Sequence, residues 1–152
     1  LKSLQPFHGN ISKRLVKTPK VYLTDTGILH HLLGVPDFAA LSGNPAIGSS
    51  WETFVLNQIS ATKQDGVDIY FYRTHQGTEV DLVFARGLTV SATAETKYSN
   101  SPQITKGNYQ AFNDLKSPIN YVITPSSNDF QINENVRVCS LHTFLLNYLP
   151  SL

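Results

Sequence analysis

Methionine is absent from these 152 residues, and cysteine occurs once, at Cys139. A single thiol excludes an internal disulfide, and without a second cysteine there is neither a zinc ribbon nor a Cys-x-x-Cys redox pair. A reducing, intracellular compartment is therefore the expectation, with cytoplasmic as the assignment. No apolar run approaches the roughly 20 residues that cross a bilayer, and Leu1–Asn10 lacks the apolar stretch of a signal peptide, so no membrane partner is expected. No Gly-Lys dipeptide occurs, which excludes a P-loop and ATP hydrolysis by that route. Internal repeats and low-complexity tracts are lacking too. The missing methionine, at position 1 as elsewhere, reads as a piece of a longer polypeptide.

What is present is the material of one domain: 41% apolar and 11% aromatic residues, with 15% charged. A chain of this length buries roughly 68–70% of its unfolded surface, enough to hold a core without staples. Charge is balanced in total and uneven in position. Residues 1–24 carry five bases and no acid, while the rest carries seven bases and eleven acids, giving a net +1. Lys13, Arg14 and Lys17 in that basic opening read first as a solvated face or linker. The alternative is a strip of weak phosphate contacts. A net charge of +1 does not support strong nonspecific binding to nucleic acid.

Patterning predicts the elements. Lys20–Leu23 reads as a short strand, and Thr24 or Asp25 caps a small helix bearing Ile28, Leu29, Leu32 and Leu33, which Gly34 and Pro36 stop. Gly43–Gly48 reads as a loop. Trp51, Phe54, Val55 and Ile59 fall on one face of a helix from about Ser50 to Lys63. Strands follow at Val67–Arg73, Thr78–Ala85 and Leu88–Lys97, the last two joined at Arg86-Gly87. Gln103–Lys116 reads as a helix, Ile119–Thr124 as a fully buried strand, Pro125–Asp129 as a turn, Asn135–Ser140 as a strand and Leu141–Tyr148 as a closing helix. Helix, three-strand meander, helix, strand makes an α/β fold, a mixed sheet flanked by helices.

Strand alternation puts Val80, Leu82 and Phe84 on one face, Glu79, Asp81 and Val83 on the other, and groups Val90, Ala92 and Ala94 in the partner strand. A hairpin around Arg86-Gly87 brings Asp81 and Glu95 near the same end. Two such carboxylates repel unless a cation joins them. Hard oxygen ligands suit Mg2+ or Mn2+, and the adjacent Lys97 can orient or deprotonate an attacking water and offset charge on phosphorus. The blander reading is a pair of exposed strand faces with a cross-strand contact worth about 0.2–1 kcal/mol.

Trp51-Glu52, Glu79-Val80-Asp81-Leu82-Val83 and Glu95-Thr96-Lys97, in that order on those elements, resemble the PD-(D/E)XK nuclease superfamily, the restriction-endonuclease-like fold. The stretch from Lys17 to Ile28, with Tyr72-Arg73-Thr74 and Gly77-Thr78-Glu79-Val80-Asp81, resembles more narrowly the domain found C-terminal to the ATPase module in bacterial and archaeal AAA-type ATP-binding proteins. The resemblance implies that Asp81 and Glu95 ligate the metal with the Thr96 backbone carbonyl, that Lys97 is the catalytic lysine, and that Glu52 holds a water or second ion. Val80 stands where the superfamily's name has Pro. It also implies a division into a basic segment and small helix, 1–35, linking to an ATPase module, and a nuclease-like domain, 36–152.

Rival readings stand beside these. Ser49 and Glu52 fit capping-box spacing, which would give Glu52 a purely structural task. Glu79 points to solvent or pairs with a neighbouring strand. The five histidines are scattered, Cys139 with His142 lacks a supporting acid, and Tyr70-Phe71-Tyr72 reads as packing, leaving Arg73 as a candidate phosphate contact. The expected function is metal-dependent cleavage or binding of DNA or RNA, coupled to the chain's own AAA-type ATPase module. The alternatives are a noncatalytic regulatory or interaction module, or a fragment whose Ile28–Leu33 helix contacts that ATPase.

Overall fold

The computed structural model describes residues 1–9 and 11–152. A basic opening segment supplies two short strands, β1 (Lys2–Leu4) and β2 (Lys20–Tyr22), paired antiparallel as a sheet of their own. Two small helices follow, α1 (Thr26–Leu32) and α2 (Phe38–Ser42). Asp25 caps α1 by accepting from the Ile28 amide at 3.0 Å, and Asp37 caps α2 by accepting from Ala40 at 2.8 Å. α3 (Ile47–Thr62) then leads into β3 (Asp68–Arg73), β4 (Glu79–Arg86) and β5 (Thr89–Thr96). The chain continues through α4 (Lys106–Leu115), β6 (Asn120–Thr124), β7 (Phe130–Asn133), β8 (Val136–Ser140) and α5 (Leu141–Thr143), which passes into one π-helical stretch, Phe144–Tyr148.

Six strands form one mixed sheet in the order β3-β4-β5-β6-β8-β7. The meander β3-β4-β5 is antiparallel, whereas β6 runs parallel to both β5 and β8. That change of direction follows from α4, which crosses from the end of β5 back to the start of β6. One face of the sheet buries Leu82, Phe84, Ala92 and Ala94 under Val55, Leu56 and Ile59 of α3 and Phe144. The other buries Val80, Val83 and Val122 under Ala111, Phe112 and Leu115 of α4. With both faces covered, β6 is buried along its whole length. The expected α/β architecture, a mixed sheet flanked by helices, is present.

Two irregularities correct the alternation read from sequence. Between Tyr70 and Tyr72 the β3–β4 register slips, so β4 carries an extra residue around Asp81, and Val80 joins the face of Val83 rather than that of Leu82. A second slip, opposite Phe84 and Ala85, does the same to Val90. One inserted residue reverses every side chain beyond it. The capping box is also corrected: α3 begins at Ile47 with Ala46 before it, so Glu52 lies in its second turn and makes no cap. Part of the expected Gly43–Gly48 loop is helix, and β1, α2 and β7 were not foreseen. No described helix is long and apolar enough to cross a membrane.

The opening segment is stitched into this core. Phe71 and Phe7 exchange backbone bonds with residues 5–7 and β3, and Leu4 and Tyr22 are buried in the cluster beneath α3. On the other face Asp114 gathers Lys13 Nζ at 2.8 Å, Tyr72 Oη at 2.9 Å and Gln110 Nε2 at 2.8 Å. Burial pushes the Asp114 carboxyl up, and these donors outweigh it, leaving it below its usual value of 3.8. Asp114→Ala strands the buried Tyr72 hydroxyl and is expected to cost about 1–3 kcal/mol at pH 7. The contribution is full above the ordinary carboxylate range and is lost as pH falls through the lowered folded value. Urea unfolding should therefore show the difference between the two proteins shrinking below pH 4.

Candidate functional site

The ends of β2, β4 and β5 and the second turn of α3 meet around a cleft of about 760 Å³. Lys20, Glu52, Glu79, Asp81, Glu95 and Lys97 all line it. Each reaches the cleft for a local reason. Glu79 and Asp81 flank Val80, whose side chain is pinned in the core, and the register slip turns Asp81 toward the end of β5. Asp81 Oδ2 there accepts from both the backbone N–H and the hydroxyl of Thr96, each at 2.9 Å. Glu95 and Lys97 share a strand face, and Lys97 Nζ donates to Glu95 Oε1 at 2.9 Å. The second oxygen, Glu95 Oε2, is buried and has no hydrogen-bond partner among the described residues.

Two buried carboxylates this close resist ionisation. Burial first, and then the charges of Glu95 and Glu52, push the Asp81 carboxyl up to about 8 against the pull of Lys20. Glu95 is also raised by burial, with Lys97 first and then the Asn108 side chain pulling the other way. Lys97 itself is lowered by burial and raised more by Glu95, ending above its usual value. A lysine held that way keeps its proton at neutral pH. Of the three tasks expected of it, orienting water and supplying charge fit this state, and deprotonating water does not.

Two groups absent from the sequence reading of the site complete it. Lys20 Nζ lies 2.7 Å from Glu79 Oε1, 3.2 Å from Glu52 Oε1 and 3.8 Å from Asp81 Oδ1. Tyr22 donates its hydroxyl to Glu52 Oε1 at 2.5 Å. Their signal was in the sequence: Lys20 and Tyr22 stand two apart on a strand and so share one face. What it lacked was any hint of which surface that face would meet. Glu79 pairs with a neighbouring strand, through Arg73, whose Nε and Nη2 both reach it at 2.9 Å or less.

The remaining candidates are dispersed. Lys13 is engaged by Asp114 on the far face. Arg14 and Lys17 are exposed beside a second groove of about 660 Å³ that also takes in His75. Arg73 borders the main cleft with its guanidinium committed to Glu79. No group of three or more His, Cys, Asp or Glu arranged to hold a metal ion by those side chains alone occurs among the described residues. The Lys20 ammonium stands among the acids instead.

A domain family described as "Domain of unknown function (DUF4143)" matches residues 47–144, and a second, "Domain of unknown function (DUF8612)", matches residues 1–39. The uncharacterized proteins Rv2008c of Mycobacterium tuberculosis and Mb2031c of Mycobacterium bovis are each 36% identical over 137 residues, which is 90% of this chain. The chain spans 30% of the length of those relatives. A solved structure described as a refined half-complex from a tetradecameric assembly of Thermococcus gammatolerans McrB AAA+ hexamers with bound McrC contains a similar chain. That match covers 62% of this chain and 27% of the other, at 11% identity and a TM-score of 0.45, too distant to carry an argument.

Proposed function

The chain belongs to the DUF4143 family, and from its cleft we propose that this domain hydrolyses phosphodiester bonds of nucleic acid with a divalent metal ion, in the service of an AAA-type ATPase module. The observation that carries the reading is the meeting of Asp81, Glu95 and Lys97 at one end of β4 and β5, on elements whose order resembles the PD-(D/E)XK core. The donor set suits Mg2+ or Mn2+: it is all oxygen, and Glu95 Oε2 is buried with no hydrogen bond within normal geometry, the Asn108 side chain being the neutral donor beside that carboxyl. Asp81 and Glu95 would hold the ion with the Thr96 carbonyl. When bound, such an ion polarises a phosphate oxygen and acidifies a water.

The chain's own groups do the rest. Thr96 fixes the Asp81 carboxylate through two hydrogen bonds, so its free oxygen is aimed without reorganisation. Lys97, still protonated, offers positive charge where negative charge accumulates on phosphorus. Tyr22 fixes Glu52 at the back of the cleft. Arg14 and Lys17 offer exposed charge to a phosphate backbone, in keeping with weak contact rather than tight binding. The ATPase partner rests on the resemblance of the segments Lys17–Ile28 and Tyr72–Asp81.

A second reading has its own observation: every acid of the cleft has a basic group within 4 Å, with Lys20, Arg73 and Lys97 offsetting most of the charge of the four acids. On that reading the domain is a regulatory or interaction module and the network is structural. Cleavage of duplex and single-stranded DNA and of RNA, with Mn2+ and with chelator, separates them. The hydrolytic reading expects cleavage that needs Mn2+ and falls at least about 100-fold in Lys97→Ala. Cleavage equal in the two proteins, or none with any substrate, would favour the module.

A further inference from the structure

We propose that Trp51, Phe54 and Tyr98 form a stacking site for an unpaired nucleobase beside the cleft, so that the nucleic acid engaged there is single-stranded. That the ligand is nucleic acid rests on the proposed function; the place of the base rests on the rings. Trp51 precedes Glu52 on α3, and Tyr98 follows Lys97 just past the end of β5. Phe54, one turn on from Trp51, lies roughly parallel to its indole, with ring centroids 5.9 Å apart and planes 29° apart. Tyr98 stands steeply against the same indole, at 6.0 Å and 68°. Two rings thus lie along α3, and a third makes a wall to them.

Packing alone does not require this trio. Trp51 is half-buried and closes over the cluster beneath α3, but Phe54 and Tyr98 belong to neither core cluster and remain 43% and 41% exposed. Their position is tied to the cleft's own framework. The Ile123 carbonyl, near the end of β6, accepts from the Lys97 amide at 3.0 Å and from the Trp51 indole N–H at 3.4 Å. One acceptor therefore sets both the lysine and the platform. β5, β6 and β8 run parallel, and open α/β sheets take their ligands outside the carboxyl ends of such strands. Charge points to the same occupant. Lys97 Nζ is partly exposed and gives one of its three N–H donors to Glu95, which leaves positive charge for a phosphate next to the rings. Flat rings beside a cation suit a nucleotide, whose base stacks while its phosphate pairs. Ser99, Asn100 and Ser101, all exposed, follow Tyr98 with donors and acceptors for a base edge. Within a duplex the faces of a base are already covered by its neighbours, so only an unpaired base can lie on the platform.

Trp51 is the chain's single tryptophan, so its fluorescence reports on the platform directly. The test titrates the whole chain, at low salt with chelator and no metal, with a ten-nucleotide oligothymidylate. Saturable quenching is expected. A blunt duplex of ten base pairs, and an abasic strand of the same length that keeps the phosphates and lacks the bases, should bind at least about 10-fold more weakly. Phe54→Leu combined with Tyr98→Leu keeps the apolar cover and removes two rings; it should lose at least about 10-fold in affinity with an unchanged circular dichroism spectrum, while Tyr98→Phe keeps the wild-type value. No quenching at millimolar strand, equal quenching by the abasic strand or the duplex, or an unchanged affinity in the double leucine variant overturns the proposal. The comparison of strands decides it on wild type alone, should the double variant not fold. Quenching without cleavage once Mn2+ is added would sink the hydrolytic reading and leave the platform standing. Cleavage without quenching would do the reverse.

Discussion

Asp81→Asn is expected to melt at higher temperature than wild type at pH 9 while losing divalent-ion binding altogether. Burial, and then the charges of Glu95 and Glu52, push the folded carboxyl up from its ordinary 3.8 to about 8. Between those values the folded chain holds a proton that the unfolded chain releases, so stability falls as pH rises from 4 to 8 and stays low above. Asparagine carries no such penalty, and its side-chain oxygen still accepts from Thr96. Because Asp81 and Glu95 titrate as a pair, removing one charge lets the other ionise and returns only part of that penalty, so the gain at pH 9 should be on the order of 1–2 kcal/mol and vanish at pH 4. For a chain of this size that is a shift of about 2–8 °C. A variant less stable than wild type at pH 9 would mean that Lys20 and Thr96 already satisfy the charge. The same substitution removes one of the two carboxylates offered to the metal, so the gain in stability and the loss of binding come from one group.

Phe144→Ala carries the largest expected effect on folding. The ring is fully buried where the closing helix packs on the sheet, 5.8 Å from the ring of Phe84 and 5.0 Å edge-on from Tyr121. Removing it opens a cavity between two strands and the π-helical stretch, at a cost of about 3–5 kcal/mol. Against a total stability of roughly 5–15 kcal/mol, that leaves a marginal protein. Urea titration followed by circular dichroism should show the midpoint drop sharply with the slope unchanged, and Phe144→Leu should recover most of it. A loss below about 1 kcal/mol in Phe144→Ala would show that the C-terminal helix is a loose appendage.

Both residues illustrate what the sequence could and could not reveal. The long periodic elements α3, α4, β4 and β5 were legible because they repeat their apolar spacing several times, and β6 because its short apolar run lies between turn residues. β1, α2 and β7 are three to five residues long, too short to display a period. The two slipped registers were invisible for a different reason: an inserted residue leaves composition unchanged and reverses the faces of Val80 and Val90. Within the cleft, Asp81, Glu95 and Lys97 could be grouped because one hairpin brings them together. Lys20 and Tyr22 could not, since only the docking of the β1–β2 sheet against β3 carries them to the acids. For Glu52, spacing suggested a cap that the early start of α3 made impossible.

The central claim is that the paired carboxylates at the end of β4 and β5 hold a divalent ion. Calorimetric titration of Mn2+ into wild type and Asp81→Asn at neutral pH tests it most directly. One site of millimolar affinity or tighter is expected in wild type, and it disappears in the variant. Absence of binding heat in wild type, or the same isotherm in both proteins, would contradict it.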